Sequence, residues 1–228
     1  MSARKRLYPF VKRAFDLLAA FAVLILLLPL WLPILMILRI TGEGEVFYLQ
    51  KRIGLKSQPF SIWKFATMLK NSPNMGTGTI TLRNDPRVTP FGHFLRKSKI
   101  NELPQIINVL MGDMSFIGPR PLDEKGYLSY PADIRKQIYW VKPGISGIGS
   151  IVFRDEEQLI SASRLPPREF YTQYIAPYKA ALELWYQAHQ SFFTDFVLLW
   201  LTVWVVLFPK SQIIHQVFPT LPEKPSTL

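Results

Sequence analysis

At 228 residues and 49% hydrophobic side chains, the chain has room for one ordinary domain and something extra. It contains no cysteine, which excludes disulfides and thiolate metal sites and leaves the redox compartment open. A formal charge of +11 and a pI of about 9.9 turn the search for partners toward anions: nucleic acid, acidic lipid or phosphorylated small molecules.

The first element is apolar. Residues 17–38, LLAAFAVLILLLPLWLPILMIL, carry no charge, and as a helix they would run roughly 33 Å, just enough to cross a bilayer core. Pro29 and Pro33 each remove a backbone hydrogen bond, so a break is expected near Leu28-Pro29. Arg4, Lys5, Arg6, Lys12 and Arg13 precede the segment, and Arg39, Lys51, Arg52 and Lys56 follow it, so both flanks favour the cytoplasm. The expectation is a re-entrant membrane helix hairpin that enters and leaves one leaflet, in preference to a signal anchor. No small-x-small cleavage site follows the run.

Residues 42–190 read as one compact basic domain. VFYLQKRIG and PFSIWKFATM alternate like a pair of strands with GLKSQ as their turn, and NSPNMGTGTITLRNDP is rich in turn formers and reads as a loop. Leu103, Ile106, Ile107, Leu110 and Met111 then form the apolar stripe of a helix that Gly112 ends. Pro104 is tolerable only in the first turn, which puts Asn101 and Glu102 at the helix start and lines Asn101, Gln105 and Asn108 along one polar face. GDMSFIGPRP is a short apolar element closing in a rigid Gly-Pro-Arg-Pro corner that fixes Arg120. IRKQIYW and EFYTQYIAPYKAALELWYQ read as helices around the loop KPGISG. FFTDFVLLWLTVWVVLF, residues 192–208, suits a core helix or a membrane-associated one, with Trp200 and Trp204 at helical spacing. The expected fold class is α+β, mainly helical. It divides into a basic N-terminus and re-entrant helix (1–41), the domain (42–190), an apolar membrane-associated helix (191–210) and a tail (211–228) in which PTLPEKPSTL has a disordered composition.

The chemistry gathers at the predicted helix start. A lone carboxylate, Glu102, follows the basic run Arg96-Lys97-Ser98-Lys99 and sits beside an amide, Asn101. A helix N-terminus offers unpaired N–H groups and a positive dipole end to an anion. Arg96 and the corner's Arg120 can converge on phosphate oxygens, with Glu102 holding Mg²⁺ or orienting a reacting group. Taken singly, the same residues have plainer roles: Asn101 as an N-cap, Glu102 as a dipole-compensating acid, the arginines as solvated surface. Basic residues are spread over many elements with no groove-reading stripe, so no nucleic-acid partner is expected.

The stretch LRNDPRVTPFGHFLRKSKINELPQIINVLMGDMSFIGPRP resembles the bacterial sugar transferase family, the monotopic phosphoglycosyl transferases. The resemblance extends through KRAFDLL, VFYLQKRIG, IWKFATM and KPGISG to about residue 200. It implies a membrane-associated catalytic domain on the cytoplasmic face of the bacterial inner membrane. There, sugar 1-phosphate would pass from a nucleotide diphosphate sugar, usually a UDP-sugar, to polyprenyl phosphate such as undecaprenyl phosphate, using Mg²⁺. Such a step opens exopolysaccharide or lipopolysaccharide synthesis, with membrane lipids and downstream glycosyltransferases as further partners.

In that family an Asp-Glu pair precedes Leu-Pro-Gln. The Asp attacks the phosphate next to the sugar and releases the nucleoside monophosphate, and the lipid phosphate then takes the group. Matched position by position, Glu102 and Asn101 fall on the catalytic and metal-binding pair, and Arg96, Arg120, Lys64, Arg87 and Gln105 on phosphate- and substrate-binding positions. Two residues depart from the pattern. Asn101 stands where the nucleophilic Asp belongs, and Ala66 replaces the Arg of the Lys-Phe-Arg-x-Met motif. An amide is neither a useful nucleophile nor a full-strength metal ligand. Three readings stay open: direct in-line transfer, Glu102 as the nucleophile, or a catalytically silent membrane scaffold of a glycan assembly pathway.

Overall fold

The structure is a computed structural model that describes residues 3–75, 85–208, 211 and 213–225. Most of the expected loop after Asn71, residues 76–84, lies outside the described residues.

Helix α1, Ala3–Ile40, runs for 38 residues with Pro9, Pro29 and Pro33 inside it, so the break expected at Leu28-Pro29 is not seen. Each proline still costs a backbone hydrogen bond, and tertiary packing offsets the loss. Ala20 is buried against Ile62, Ile106 and Val109, while Trp31, Ile34 and Leu38 are buried against Phe65 and Leu95. Contacts on both sides of the prolines hold the two halves to one surface. Near the N-terminal end, Arg13 donates to the carbonyls of Val109 at 2.6 Å and Leu110 at 3.1 Å. The opposite face stays bare and apolar: Leu18, Phe21, Leu26, Leu32 and Met36 are all exposed. From Leu7 to Ile40 the helix is long and apolar enough to cross a membrane.

Gly42 and Gly44, both at positive φ, turn the chain into the expected antiparallel pair, β1 (Phe47–Ile53) and β2 (Pro59–Phe65). Helix α2 (Pro90–Lys97) is capped by Thr89, whose hydroxyl accepts from Gly92 N at 3.0 Å. A 3₁₀ turn, Ile100–Glu102, leads into α3 (Gln105–Met111), which stops at Gly112 with φ of 94° as the sequence requires. Strand β3 (Ser115–Ile117) follows.

Helices α4 (Glu124–Leu128) and α5 (Ala132–Ile138) then lead to β4 (Gly144–Ser146), which pairs in parallel with β3. KPGISG, read as a loop, thus supplies a strand. Gly118 lets the two backbones meet, since a Cβ there would lie 2.3 Å from the Lys142 carbonyl oxygen. Helices α6 (Ile148–Val152), α7 (Glu156–Ala162) and α8 (Pro167–Phe170) come next. A π turn, Tyr171–Ile175, carries α8 into α9 (Ala176–Ala188), followed by α10 (Phe192–Leu207) and α11 (Ile213–Val217). The chain is about 59% helical with a few strands, so the mainly helical α+β class holds.

The largest apolar core joins Tyr178, Leu182, Trp185 and Tyr186 of α9 to Leu198, Leu201 and Val205 of α10. One face of α10 is therefore domain core. Its other face, with Phe193, Phe196, Val203 and Leu207, is exposed, and Phe15 meets Phe192 edge-on at 5.6 Å to join it to α1. Asp195 locks these helices together: it accepts from Tyr8 Oη at 2.7 Å, Lys12 Nζ at 2.5 Å and Tyr186 Oη at 2.6 Å.

Asp195→Ala would leave the largely buried Lys12 ammonium and the Tyr8 hydroxyl without this acceptor, and Tyr186 Oη with only the Ile117 carbonyl at 3.3 Å. Loss of one partner of such a pair costs about 3–5 kcal/mol, and the detergent-solubilised variant should melt several degrees lower. An unchanged Tm would mean that the three contacts do not hold α1 to the domain.

Candidate active site

The predicted polar face of α3 points inward, not to solvent. Asn101, Gln105 and Asn108 are all buried. Asn108 binds the backbone of β2: Oδ1 accepts from Trp63 N at 3.0 Å and Nδ2 donates to Ser61 O at 2.8 Å. This clamp sets α3 beside β2 and brings the turn before α3 to Lys64. There the Glu102 Oε1 atom accepts from Arg120 Nη2 at 2.9 Å and lies 3.7 Å from Lys64 Nζ.

Arg120 is placed by its corner. Tyr139 Oη donates to Arg120 O at 2.9 Å and accepts from Leu122 N at 3.1 Å, pinning the backbone on both sides of Pro121. Arg52 of β1, oriented through its Nη2 by Gln50 Oε1 at 2.5 Å, completes a small cleft that Ile62, Lys64, Gln105, Arg120 and Pro121 also line.

The electrostatics follow from burial among like charges. Burial would raise the Glu102 carboxyl, but Arg120 and then Lys64 outweigh it and hold the group well below the usual carboxylate range. Burial lowers the Lys64 ammonium to about 7; Arg52, Arg120 and Arg96 add to that effect and Glu102 opposes it. Glu102, followed by its hydrogen bond, raises Arg120 above an ordinary guanidinium despite desolvation. At neutral pH the cleft holds one firmly ionised acid and a surplus of positive charge.

Other predicted residues fare differently. Asn101 is no N-cap: α3 begins at Gln105 with Pro104 at its cap, and the Asn101 Oδ1 atom is buried with no hydrogen-bond partner. A helix of seven residues preceded by a 3₁₀ turn also makes a weak dipole, so the positive charge at this site comes from side chains. Arg96 pairs with Glu157 Oε1 of α7 at 3.0 Å, on the edge of the cluster, with its charge felt at Lys64. Arg87 is not among the residues lining the cleft. It forks onto Asp85 at 2.9 and 2.6 Å and donates to the carbonyls of Ser72 and Met75, so its guanidinium braces the backbone around Ser72.

Sequence reasoning passed over Arg52, Asn108 and Tyr139. Arg52 was counted as a membrane flank, as were Lys12 and Arg13, yet all three are engaged in tertiary contacts. Asn108 gave the one readable signal, its place on the polar face of α3, though not the strand it binds.

Whether a hard cation fits can be judged from the donors. Among the described residues, no three His, Cys, Asp or Glu side chains gather. The Glu102 carboxylate and the orphaned oxygen of its sequence neighbour Asn101 are two donors of the oxygen type that Mg²⁺ accepts when substrate phosphates complete its shell. The residues present fit the ion on that condition.

The profile of the family described as "Bacterial sugar transferase" matches residues 7–209. Over 148 residues the chain is 40% identical to the UDP-N-acetylgalactosamine-undecaprenyl-phosphate N-acetylgalactosaminephosphotransferase of Aeromonas hydrophila, covering 64% of this chain and 35% of that protein. It is 33% identical to the exopolysaccharide production protein ExoY of Rhizobium meliloti, covering 88% and 87%. It is 39% identical to the UDP-glucose:undecaprenyl-phosphate glucose-1-phosphate transferase of Escherichia coli, covering 62% and 31%. The matched region thus spans about a third of the Aeromonas and Escherichia proteins and most of the Rhizobium one.

Since Glu102 is what opposes the fall in the Lys64 pKa, Glu102→Gln should move that pKa below the wild-type value of about 7. Carbon-13 NMR of labelled lysine across pH reads it directly. A value unchanged or higher would show that the two groups are not coupled.

Proposed function

We propose, from the premise that this chain belongs to the bacterial sugar transferase family, that it transfers sugar 1-phosphate from a nucleotide diphosphate sugar to polyprenyl phosphate. A UDP-sugar is the donor that the names of its relatives favour. The observation carrying this reading is the cleft itself, where Arg120 and Lys64 meet one ionised carboxylate and Arg52 lines the same wall. Such a cleft suits a diphosphate, whose oxygens can take the guanidinium's free donors while Glu102 keeps the corner in place.

An oxygen of the acceptor phosphate attacks, in line, the phosphorus next to the sugar. One P–O bond forms as the bond to the bridging oxygen breaks, and the nucleoside monophosphate leaves. The acceptor is already ionised at neutral pH and needs no base. One phosphoanhydride is exchanged for another, so the work is positioning and charge neutralisation, which Arg120, Lys64 and Arg52 supply. Arg96 joins them once it parts from Glu157.

Asn101 offers no nucleophile. Glu102, held ionised by two cations, is too weakly basic to be a good one. Direct transfer with both substrates bound is therefore the reading adopted here. Mg²⁺, when bound by Glu102 and Asn101, adds positive charge at the diphosphate. We place the chain on the cytoplasmic face of a bacterial inner membrane, opening surface-glycan assembly ahead of the glycosyltransferases that use its product. Its helix α1 would rest in one leaflet with both ends returning to the domain, in keeping with the contacts of Arg13 at one end and Leu38 at the other.

Two experiments test this reading. With radiolabelled UDP-sugar and no acceptor, the detergent-solubilised protein should retain no label, and polyprenyl phosphate should release UMP. Arg120→Ala should cost on the order of 2–4 kcal/mol in transition-state stabilisation, and Asn101→Ala should slow turnover less than Glu102→Gln. Stoichiometric label lost in Glu102→Gln would make Glu102 the nucleophile, and no turnover with any UDP-sugar would favour the silent scaffold. For topology, cysteines placed singly at Ser2 and Lys51 should react with an impermeant maleimide from the same side of sealed vesicles; reaction from opposite sides would reject the one-leaflet arrangement.

A further inference from the structure

Tyr139 holds the Pro-Arg-Pro corner from one side. Close to the same corner lies a buried acid that the mechanism above does not use. Glu183 of α9 is 1% exposed, and neither carboxyl oxygen has a partner of regular hydrogen-bond geometry. The backbone N–H groups of Arg120 and Gly149 are the donors that approach it. Gly149 shapes the space, because a Cβ there would lie 2.4 Å from Glu183 Oε1 and 3.3 Å from its Cδ. An acid this deep, with its carboxyl in a recess that only a glycine leaves open, calls for a reason.

We propose that Glu183 is a positioning residue for Arg120: seated in the recess beside Gly149, its carboxyl fixes the corner's backbone so that the guanidinium meets Glu102 and the donor phosphates. The identity of the donor rests on the function proposed above; the geometry does not.

The surroundings support a neutral carboxyl in this role. Facing it are Lys179 one turn earlier on α9, whose ammonium is paired with Glu156 of α7, the Arg120 guanidinium, and the hydroxyls of Tyr130 and Tyr139. Burial, only partly countered by Lys179 and the two N–H groups, pushes the Glu183 carboxyl up to about 8, so it is protonated at neutral pH. A carboxylate here would compete with Glu102 for the guanidinium. A neutral carboxyl accepts from the backbone N–H and leaves the guanidinium to the cleft.

The test compares full-length wild type with Glu183→Ala, Glu183→Gln, Gly149→Ala, Arg120→Ala and the Glu183→Ala/Arg120→Ala double variant, by structure and by UMP release. Crystal structures should keep the 2.9 Å contact between Arg120 and Glu102 in Glu183→Gln and lose it in Glu183→Ala and Gly149→Ala. Persistence of the contact in all three would overturn the proposal whatever the turnover.

In the kinetic arm, Glu183→Ala and Gly149→Ala should lose at least about tenfold in kcat/KM and Glu183→Gln stay within about threefold. The double variant should be no slower than Arg120→Ala alone, since Glu183 acts through Arg120. Additive losses would overturn the proposal, as would equal rates in Glu183→Gln and Gly149→Ala, the pair that decides if Glu183→Ala fails to fold. Wild type that keeps the contact but turns over no UDP-sugar counts against the proposed reaction and leaves the structural arm to judge Glu183.

Discussion

The cleft depends on one carboxylate among cations. Lys64, Arg120 and Arg52 come from three separate elements, and gathered without an acid they would repel one another in a cleft that is only partly open to water. Glu102 makes their approach favourable through a direct contact with Arg120 and a longer one with Lys64. Each cation is in turn fixed by a neutral polar clamp. Asn108 ties α3 to the strand that bears Lys64, Tyr139 ties the corner that bears Arg120, and Gln50 orients Arg52. These clamps let the cluster keep an excess of positive charge without flying apart, and that excess is what an anionic ligand meets.

The apolar helix is coupled to this cluster through a single strand. On β2, Lys64 and Phe65 are neighbours, so their side chains take opposite faces. Lys64 faces Glu102, while Phe65 stacks edge-on against Trp31 of α1 at 5.6 Å. The wall that carries the charge is thus one strand thick, with the bare apolar helix behind it. The acceptor proposed above, with an isoprenoid tail and a phosphate head, would need both surfaces within reach of each other.

The sequence disclosed local patterns and missed long-range ones. Alternation and the intervening turn announced β1 and β2, and the apolar stripe ending at Gly112 announced α3, because both signals are carried by residues close in the chain. KPGISG was not legible as a strand. It is three residues long, contains glycine, and is defined by parallel pairing with a segment about thirty residues away. The continuity of α1 was hidden for a related reason: the cost of Pro29 and Pro33 is local, whereas what offsets it comes from Phe65 and Leu95. At the site, the Pro-locked corner was visible but its meeting with Glu102 was not. The charge chemistry suggested that Arg120 and Glu102 share one site, and the resemblance of the whole ELPQ-to-GPRP block strengthened that grouping, but neither showed a direct contact between them. Arg87 shows the limit of that carry-over, because its partner Asp85 stood two positions away in the same motif.

The Asn at position 101 fits this charge pattern. An Asp there would add a second negative charge beside Glu102, and a covalent route can use it because the two anionic substrates then visit in turn. Direct transfer asks the cleft to hold a diphosphate and a second phosphate together, and their mutual repulsion must be met by the protein. Removing one negative charge at that point leaves Lys64, Arg52 and Arg120 with more unspent attraction for phosphate oxygens. The orphaned oxygen of Asn101 would offer a neutral ligand without cancelling that attraction. In the transfer proposed above, Asn in place of the family's Asp would therefore shift the cleft's electrostatics toward the ternary complex that a reaction with no protein nucleophile requires.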